Sequence, residues 1–165
     1  LANLLKTVRH IALVGASRKP ERPSYQVLEF LLKRGCRVTP VNPGLAGQPL
    51  QGQTVVGSLS DIDTPVDLVD IFRDGSALPG LVDETIAIGA PSLWTQLDVR
   101  HPEAEQRALD QGLNVVIDKC PAQEAAARGL RPAVRAPKVT GCCQRKLAYQ
   151  DYSGLEASTL RFLEL

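Results

Sequence analysis

Five short apolar runs, each stopped by turn-forming residues and separated by stretches of helical or turn-rich sequence, leave this 165-residue chain few ways to fold. The runs fall at residues 11–14, 37–41, 66–72, 92–96 and 114–117. Each is too short for a buried helix and is bounded by Gly, Pro, Asn or Asp, the pattern of a strand covered on both faces. Between them, Val27, Leu28, Leu31 and Leu32 recur at helical spacing over residues 24–34, and Gly35 supplies a C-terminal stop. A helix is expected over about residues 76–89, and another starts at Pro102 and ends at Gly112. Residues 47–57, rich in Gly and Gln, hold at most a short hairpin, and residues 1–9 can form a short leading helix. Strands alternating with helices predict an α/β Rossmann-like domain: a five-stranded parallel sheet with right-handed crossovers and helices on both faces.

The domain is expected to occupy residues 1–121. Residues 122–165 form a different kind of sequence, Ala-, Arg- and Pro-rich, with seven Lys/Arg against four Asp/Glu. This basic extension closes on Ser153, Gly154, Leu155 and Glu156, a capping-box pattern that predicts a terminal amphipathic helix able to pack on the domain or on a second copy of the chain.

In an open parallel sheet, ligands bind beyond the carboxyl ends of the strands, where the strand order reverses. The residues following the first run are therefore the first place to look. Residues 11–25 read I-A-L-V-G-A-S-R-K-P-E-R-P-S-Y. A strand, a glycine, a loop with Arg18, Lys19 and Arg22, and a helix start near Ser24 make a phosphate cradle, because a helix N-terminus offers unpaired N–H groups and positive dipole. Net charge of +1 provides no global field for nucleic acid or an anionic membrane, so this cluster is where an anion would be held. No apolar run approaches the ~20 residues of a membrane span, and no signal-peptide pattern opens the chain, so a cytoplasmic protein is expected. Cys36, Cys120, Cys142 and Cys143 are too irregular for a disulfide framework or a zinc site. His10 and His101, without partners at ligand spacing, read as surface residues near element ends.

A dinucleotide such as NAD requires G-x-G-x-x-G in the first turn and an acid near the end of the second strand for the ribose 2′-OH. This chain has only Gly15 in that turn and no Asp or Glu between Glu29 and Asp61. Arg37, which would suit a 2′-phosphate, lies at the wrong end of its strand. An NAD(P)-binding oxidoreductase-type domain thus becomes the alternative reading. A more highly charged nucleotide, coenzyme A, fits three loop cations better, since it carries a pyrophosphate and a ribose 3′-phosphate.

Gly15-Ala-Ser-Arg-Lys-Pro-Glu-Arg-Pro-Ser24, Val38-Thr-Pro-Val-Asn-Pro43, Val66-Asp-Leu-Val-Asp-Ile-Phe-Arg73, Leu93-Trp-Thr-Gln-Leu97 and Asp118-Lys-Cys-Pro121 together resemble the small bacterial CoA-binding domain proteins, over about residues 5–122. Those proteins are similar to the nucleotide-binding domain of the succinyl-CoA synthetase alpha subunit, without its catalytic partner domains. The resemblance implies binding of CoA or an acyl-CoA without autonomous catalysis. It implies that Gly15, Ala16 and Ser17 contact the pyrophosphate, that Pro20 shapes the loop and that Arg18 and Arg22 pair with phosphate, with Ser24 at the helix start. Asn42 and Pro43 would border the adenosine on one side, Phe72 and Arg73 on the other. Trp94 and Gln96 would form the floor or the exit of the pantetheine arm. Cys120, after the fifth strand, is the candidate thiol for a redox or acyl sensor. A third reading makes the chain an interaction module whose basic extension recruits a partner.

Overall fold

The computed structural model describes Leu4 and residues 7–129. The chain divides into two units, 1–134 and 135–165, and every described residue lies in the first. The terminal helix expected near Ser153, with the second-copy contact it would make, falls outside the described residues, as does most of the leading helix, of which Leu4 and Thr7 are helical.

Strands β1 (His10–Val14), β2 (Arg37–Val41), β5 (Leu68–Ile71), β6 (Ser92–Thr95) and β7 (Asn114–Val116) form one five-stranded sheet in the order β2-β1-β5-β6-β7. All pairings are parallel. Residues 49–54 make the expected small hairpin from β3 (Pro49–Leu50) and β4 (Gln53–Thr54). Among the described residues four α-helices lie beyond the leading one: α1 (Pro23–Lys33), α2 (Leu78–Ala87), α3 (Pro102–Asp110) and α4 (Pro121–Ala127). Because β2 and β5 flank β1 on opposite sides, the order reverses at the carboxyl ends of β1 and β5. That is the switch point.

Alternation along each strand divides the core between the faces. Ile11, Leu13, Val38, Leu68 and Trp94 meet Val27, Leu28 and Leu31 of α1 and Ala122 of α4 on one side. Ala12, Val14, Val69, Ile71 and Leu93 meet Leu78 and Val82 of α2 and Ala104 and Ala108 of α3 on the other. Helices cover both faces, as the near-continuous apolar strands require. Full burial of a side chain such as Leu13 or Leu28 contributes about 2 kcal/mol each.

Two local outcomes differ from the sequence reading. His10 is buried at 5% exposure, its Nδ1 2.7 Å from the Pro65 carbonyl and its Nε2 2.9 Å from Thr39 Oγ1. A lone histidine looked exposed because both partners come from distant strands and connections. The helix after the first loop starts at Pro23, with Arg22 at the N-cap position and no side-chain cap, so Ser24 lies buried in the first turn and does not cap it.

Candidate functional site

The switch point brings together the turn after β1 and the turn after β5. Gly15 has φ +90°, and a Cβ built on it would stand 2.5 Å from the Phe72 carbonyl oxygen. Glycine is required here because two strand ends cross at backbone contact distance. The resemblance implies a pyrophosphate contact at Gly15; in the structure its missing side chain makes room for the backbone just after β5. Gly15 N–H and Ala16 N–H both donate to the Val41 carbonyl, at 3.0 and 3.3 Å. Those two donors are therefore already occupied within the protein, and Ala16 itself is 1% exposed.

From Ser17 the loop turns outward. Ser17 Oγ accepts Lys19 N–H at 3.2 Å, and Arg22 N–H donates to the Lys19 carbonyl, which folds residues 17–22 into two tight turns around the exposed Pro20. Arg18, Lys19 and Arg22 are exposed. Arg18 Nη1 donates to Gln48 Oε1 at 2.8 Å, which holds one cation over the loop. At the start of α1, Arg22 has no side-chain acceptor to offer, Pro23 has no N–H and the first turn contains no acid. Nothing in the helix itself offsets its positive end, and the surrounding cations make that end attractive to an anion.

Asn42 braces this loop from β2. Its Nδ2 donates to the Ala16 carbonyl at 2.7 Å while its Oδ1 accepts Gly44 N–H at 2.9 Å, a cap on the short helical turn Pro43–Leu45. On the opposite side, Phe72 N–H donates to the Val14 carbonyl, and Arg73 reaches back until its Cδ lies 3.2 Å from the position of a Gly15 Cβ. Thus Ser17 to Arg22, Asn42 and Pro43, and Phe72 and Arg73 lie around the turn after β1 at the carboxyl ends of the strands.

Trp94 and Gln96 belong to the layer below. Trp94 is fully buried, and its Nε1–H donates to the Lys119 carbonyl, tying β6 to the segment after β7. Gln96, 7% exposed, donates from Nε2 to Asp70 Oδ1 at 2.6 Å. Asp70, on β5, was not singled out by the sequence reading. It has no exposed surface and its Oδ2 has no partner; burial, partly opposed by the Gln96 hydrogen bond, pushes its pKa up to about 7. An acid inside the run V-D-L-V-D-I-F was the available signal, since a strand covered on both faces has no cheap place for a carboxylate. Cys120 is buried at 5%, and its pKa is raised, chiefly by desolvation and further by the charge of Asp70, against hydrogen bonds from Gln123 and Ala122 N–H.

Gly75 was also missed. A Cβ there would stand 2.3 Å from the Arg100 carbonyl oxygen, so the turns after β5 and β6 are in backbone contact too. Beyond them, Asp98 and Asp118 both adopt left-handed φ, +63° and +56°, and Asp98 N–H donates to Asp118 Oδ1 at 2.9 Å. Among the described residues no cluster of His, Cys, Asp and Glu is suited to a metal, and no helix is long and apolar enough to cross a membrane.

A parallel sheet with a basic, uncapped helix start at its switch point defines a nucleotide-binding domain of Rossmann type. The chain belongs, more narrowly, to the CoA binding domain family, whose model matches residues 9–126. It is 34% identical to the Bacillus subtilis (strain 168) protein YneT over 120 residues, covering 73% of this chain and 87% of that protein. A Thermus thermophilus structure, cell-free ID.343, superposes with a TM-score of 0.74 at 38% identity, covering 76% of this chain and 94% of the other. An acetyl-coenzyme A synthetase from Ca. Korarchaeum cryptofilum shares the fold over 64% of this chain and 25% of its own, with a TM-score of 0.55 and 26% identity.

Proposed function

We propose that this protein is a cytoplasmic module that binds coenzyme A or an acyl-CoA in the crevice bordered by Ser17 to Arg22, Asn42 and Pro43, and Phe72 and Arg73. The observation that carries this reading is the positive, uncapped start of α1 beside three exposed cations, in a chain of the CoA binding domain family. With Gly15 and Ala16 N–H engaged by Val41, and Lys19 and Arg22 N–H engaged inside the loop, the pyrophosphate is received by Ser17 and by the N–H groups of Arg18, Glu21 and Ser24. Arg18 and Arg22 supply phosphate pairing, and Asn42 holds the loop in place for it. The buried, protonated thiol of Cys120 weighs against its use as a sensor.

Isothermal titration tests the reading with CoA, acetyl-CoA and NAD as separate titrants. Saturable heat with CoA or acetyl-CoA and none with NAD is expected; heat with NAD alone would replace it by a dinucleotide domain. Arg18→Ala with Arg22→Ala should weaken CoA binding by about 30- to 1,000-fold, at about 1 to 2 kcal/mol for each of the two charge-assisted contacts. The loss should shrink at high salt, where the wild-type contacts are screened. An unchanged Kd in the double variant would remove both arginines from the site.

A further inference from the structure

Asp70 and Gln96 form a buried pair at the carboxyl-end half of β5 and β6, and the described mode of binding makes no use of the carboxylate. Oδ1 of Asp70 accepts from Gln96, while Oδ2 is sealed from solvent without a partner. Gln96 is 7% exposed, and with its NH2 held by Asp70 its amide oxygen is the end left for another partner. Gln96 directly follows β6, and Asp70 stands two residues before Phe72 on β5, so the pair spans the strand ends that border the site.

A carboxylate accepts only, whereas a protonated carboxyl can also donate. An ionised Asp70 must therefore be met by the Gln96 NH2, which turns the amide oxygen outward. A protonated Asp70 can donate to that oxygen, and a flipped amide then presents its NH2 outward. We propose that the proton on Asp70 sets the orientation of the Gln96 amide, and so decides whether the floor of the crevice offers a hydrogen-bond acceptor or a donor to the ligand. Gln96 is the group that meets ligand, and Asp70 is a positioning residue. The acceptor form suits an N–H group of CoA, whose pantetheine amides and adenine amine are its N–H donors; the donor form suits a carbonyl.

Competing titrations around Asp70 are few. Arg34 of α1 and Cys36, after α1, line the same cavity beside Asp70, together with apolar residues of α1, β1 and α4 such as Phe30, Leu31 and Ala125. The charges of Arg34 and Arg9 both reach Cys36. Cys36 and Cys120 both have raised pKa values from burial, so both are neutral thiols when Asp70 changes state. Glu124 on α4 is engaged by Lys119 and Arg128 and has a lowered pKa. The change near neutral pH thus belongs to Asp70, whose pKa lies at about 7.

The ligand half of this inference rests on the CoA reading, and two measurements separate them. In the unliganded protein, the side-chain NH2 resonances of Gln96 should shift between pH 5.5 and 8.5 with a midpoint near 7, and that movement should vanish in Asp70→Asn. With CoA, affinity should change across the same interval by about fivefold or more in wild type beyond the change in Asp70→Asn, a typical coupling size. The variant subtracts the titration of the ligand's own terminal phosphate, whose pKa is near 6. Gln96→Leu should erase the Asp70-dependent part of the CoA profile, while the pH dependence of folding stability persists and shows that Asp70 still titrates. Gln96 resonances that stay fixed with pH, or that move equally in Asp70→Asn, would overturn the proposal. A titrating Gln96 in a protein that binds no CoA would instead leave the switch standing and remove the ligand assignment.

Discussion

Replacing Asp70 by Asn should stabilise the protein at pH 8 by as much as about 4 kcal/mol, a large gain for one surface-neutral change. Burial raises the carboxyl from 3.8 to about 7, roughly three pKa units at 1.36 kcal/mol each. The folded protein holds that proton up to about pH 7, whereas the unfolded chain releases it near pH 4. Folding therefore takes up a proton over that interval. Stability from this group is fully present below about pH 4, falls as pH rises, and is gone above about pH 7. Asparagine keeps an oxygen for the Gln96 NH2 and never ionises, so the variant avoids this loss. Urea unfolding at pH 5 and pH 8 measures it: the advantage of Asp70→Asn should be much larger at pH 8. Equal differences at the two pH values would mean that Asp70 is ionised throughout, with a partner for Oδ2 that the fold does not reveal.

Gly15→Ala should be the most damaging single methyl in the first loop. Left-handed φ costs an L-residue about 1 kcal/mol or more, and the new Cβ would stand 2.5 Å from a backbone oxygen that cannot rotate away. The two effects together amount to about 2 to 4 kcal/mol, a fall in Tm on the order of 10 °C for a domain of this size. Relief of the clash requires β1 and β5 to part at their carboxyl ends, so CoA affinity should fall with stability. Gly89→Ala supplies the comparison: Gly89 has φ +70° but nothing within 4 Å of its would-be Cβ, so it pays the conformational cost alone. Thermal unfolding of the two variants separates strain from collision. Equal losses would show that the approach to Phe72 is unimportant.

These two residues also show what could be read before the structure. Gly15 was visible because a glycine after an apolar run at the first turn of an α/β chain has few explanations, yet its local neighbour was not, since Phe72 lies far along the chain. Asp70 looked like an ordinary polar position in a strand. Its isolation depends on the pairing of β5 with β1 and β6 and on α1 and α4 above, none of which a single strand sequence specifies. His10 failed for the same reason, with Pro65 and Thr39 arriving from elsewhere. By contrast, the strand and helix order was legible throughout residues 10–117, because apolar period and Gly or Pro punctuation are local signals. Trp94 illustrates the limit from the other side: the resemblance implies a floor or exit for the pantetheine arm, while in the structure Trp94 is fully buried in β6 and its N–H is answered by the Lys119 carbonyl. Helix α4 was not anticipated, since Ala-rich sequence after Pro121 has little apolar bulk, but Ala122 and Ala125 are small enough to lie close against the sheet.

The central claim is that CoA is held at the β1–β5 switch point by the loop preceding α1. Amide chemical-shift mapping during a CoA titration tests it at residue resolution. The account predicts saturable perturbations concentrated at residues 17–24, 42–44 and 72–75 and at Gln96, with the far ends of the strands, His10, Arg37 and Leu68, unaffected. Perturbations centred elsewhere on the domain, or none up to millimolar CoA, would contradict it.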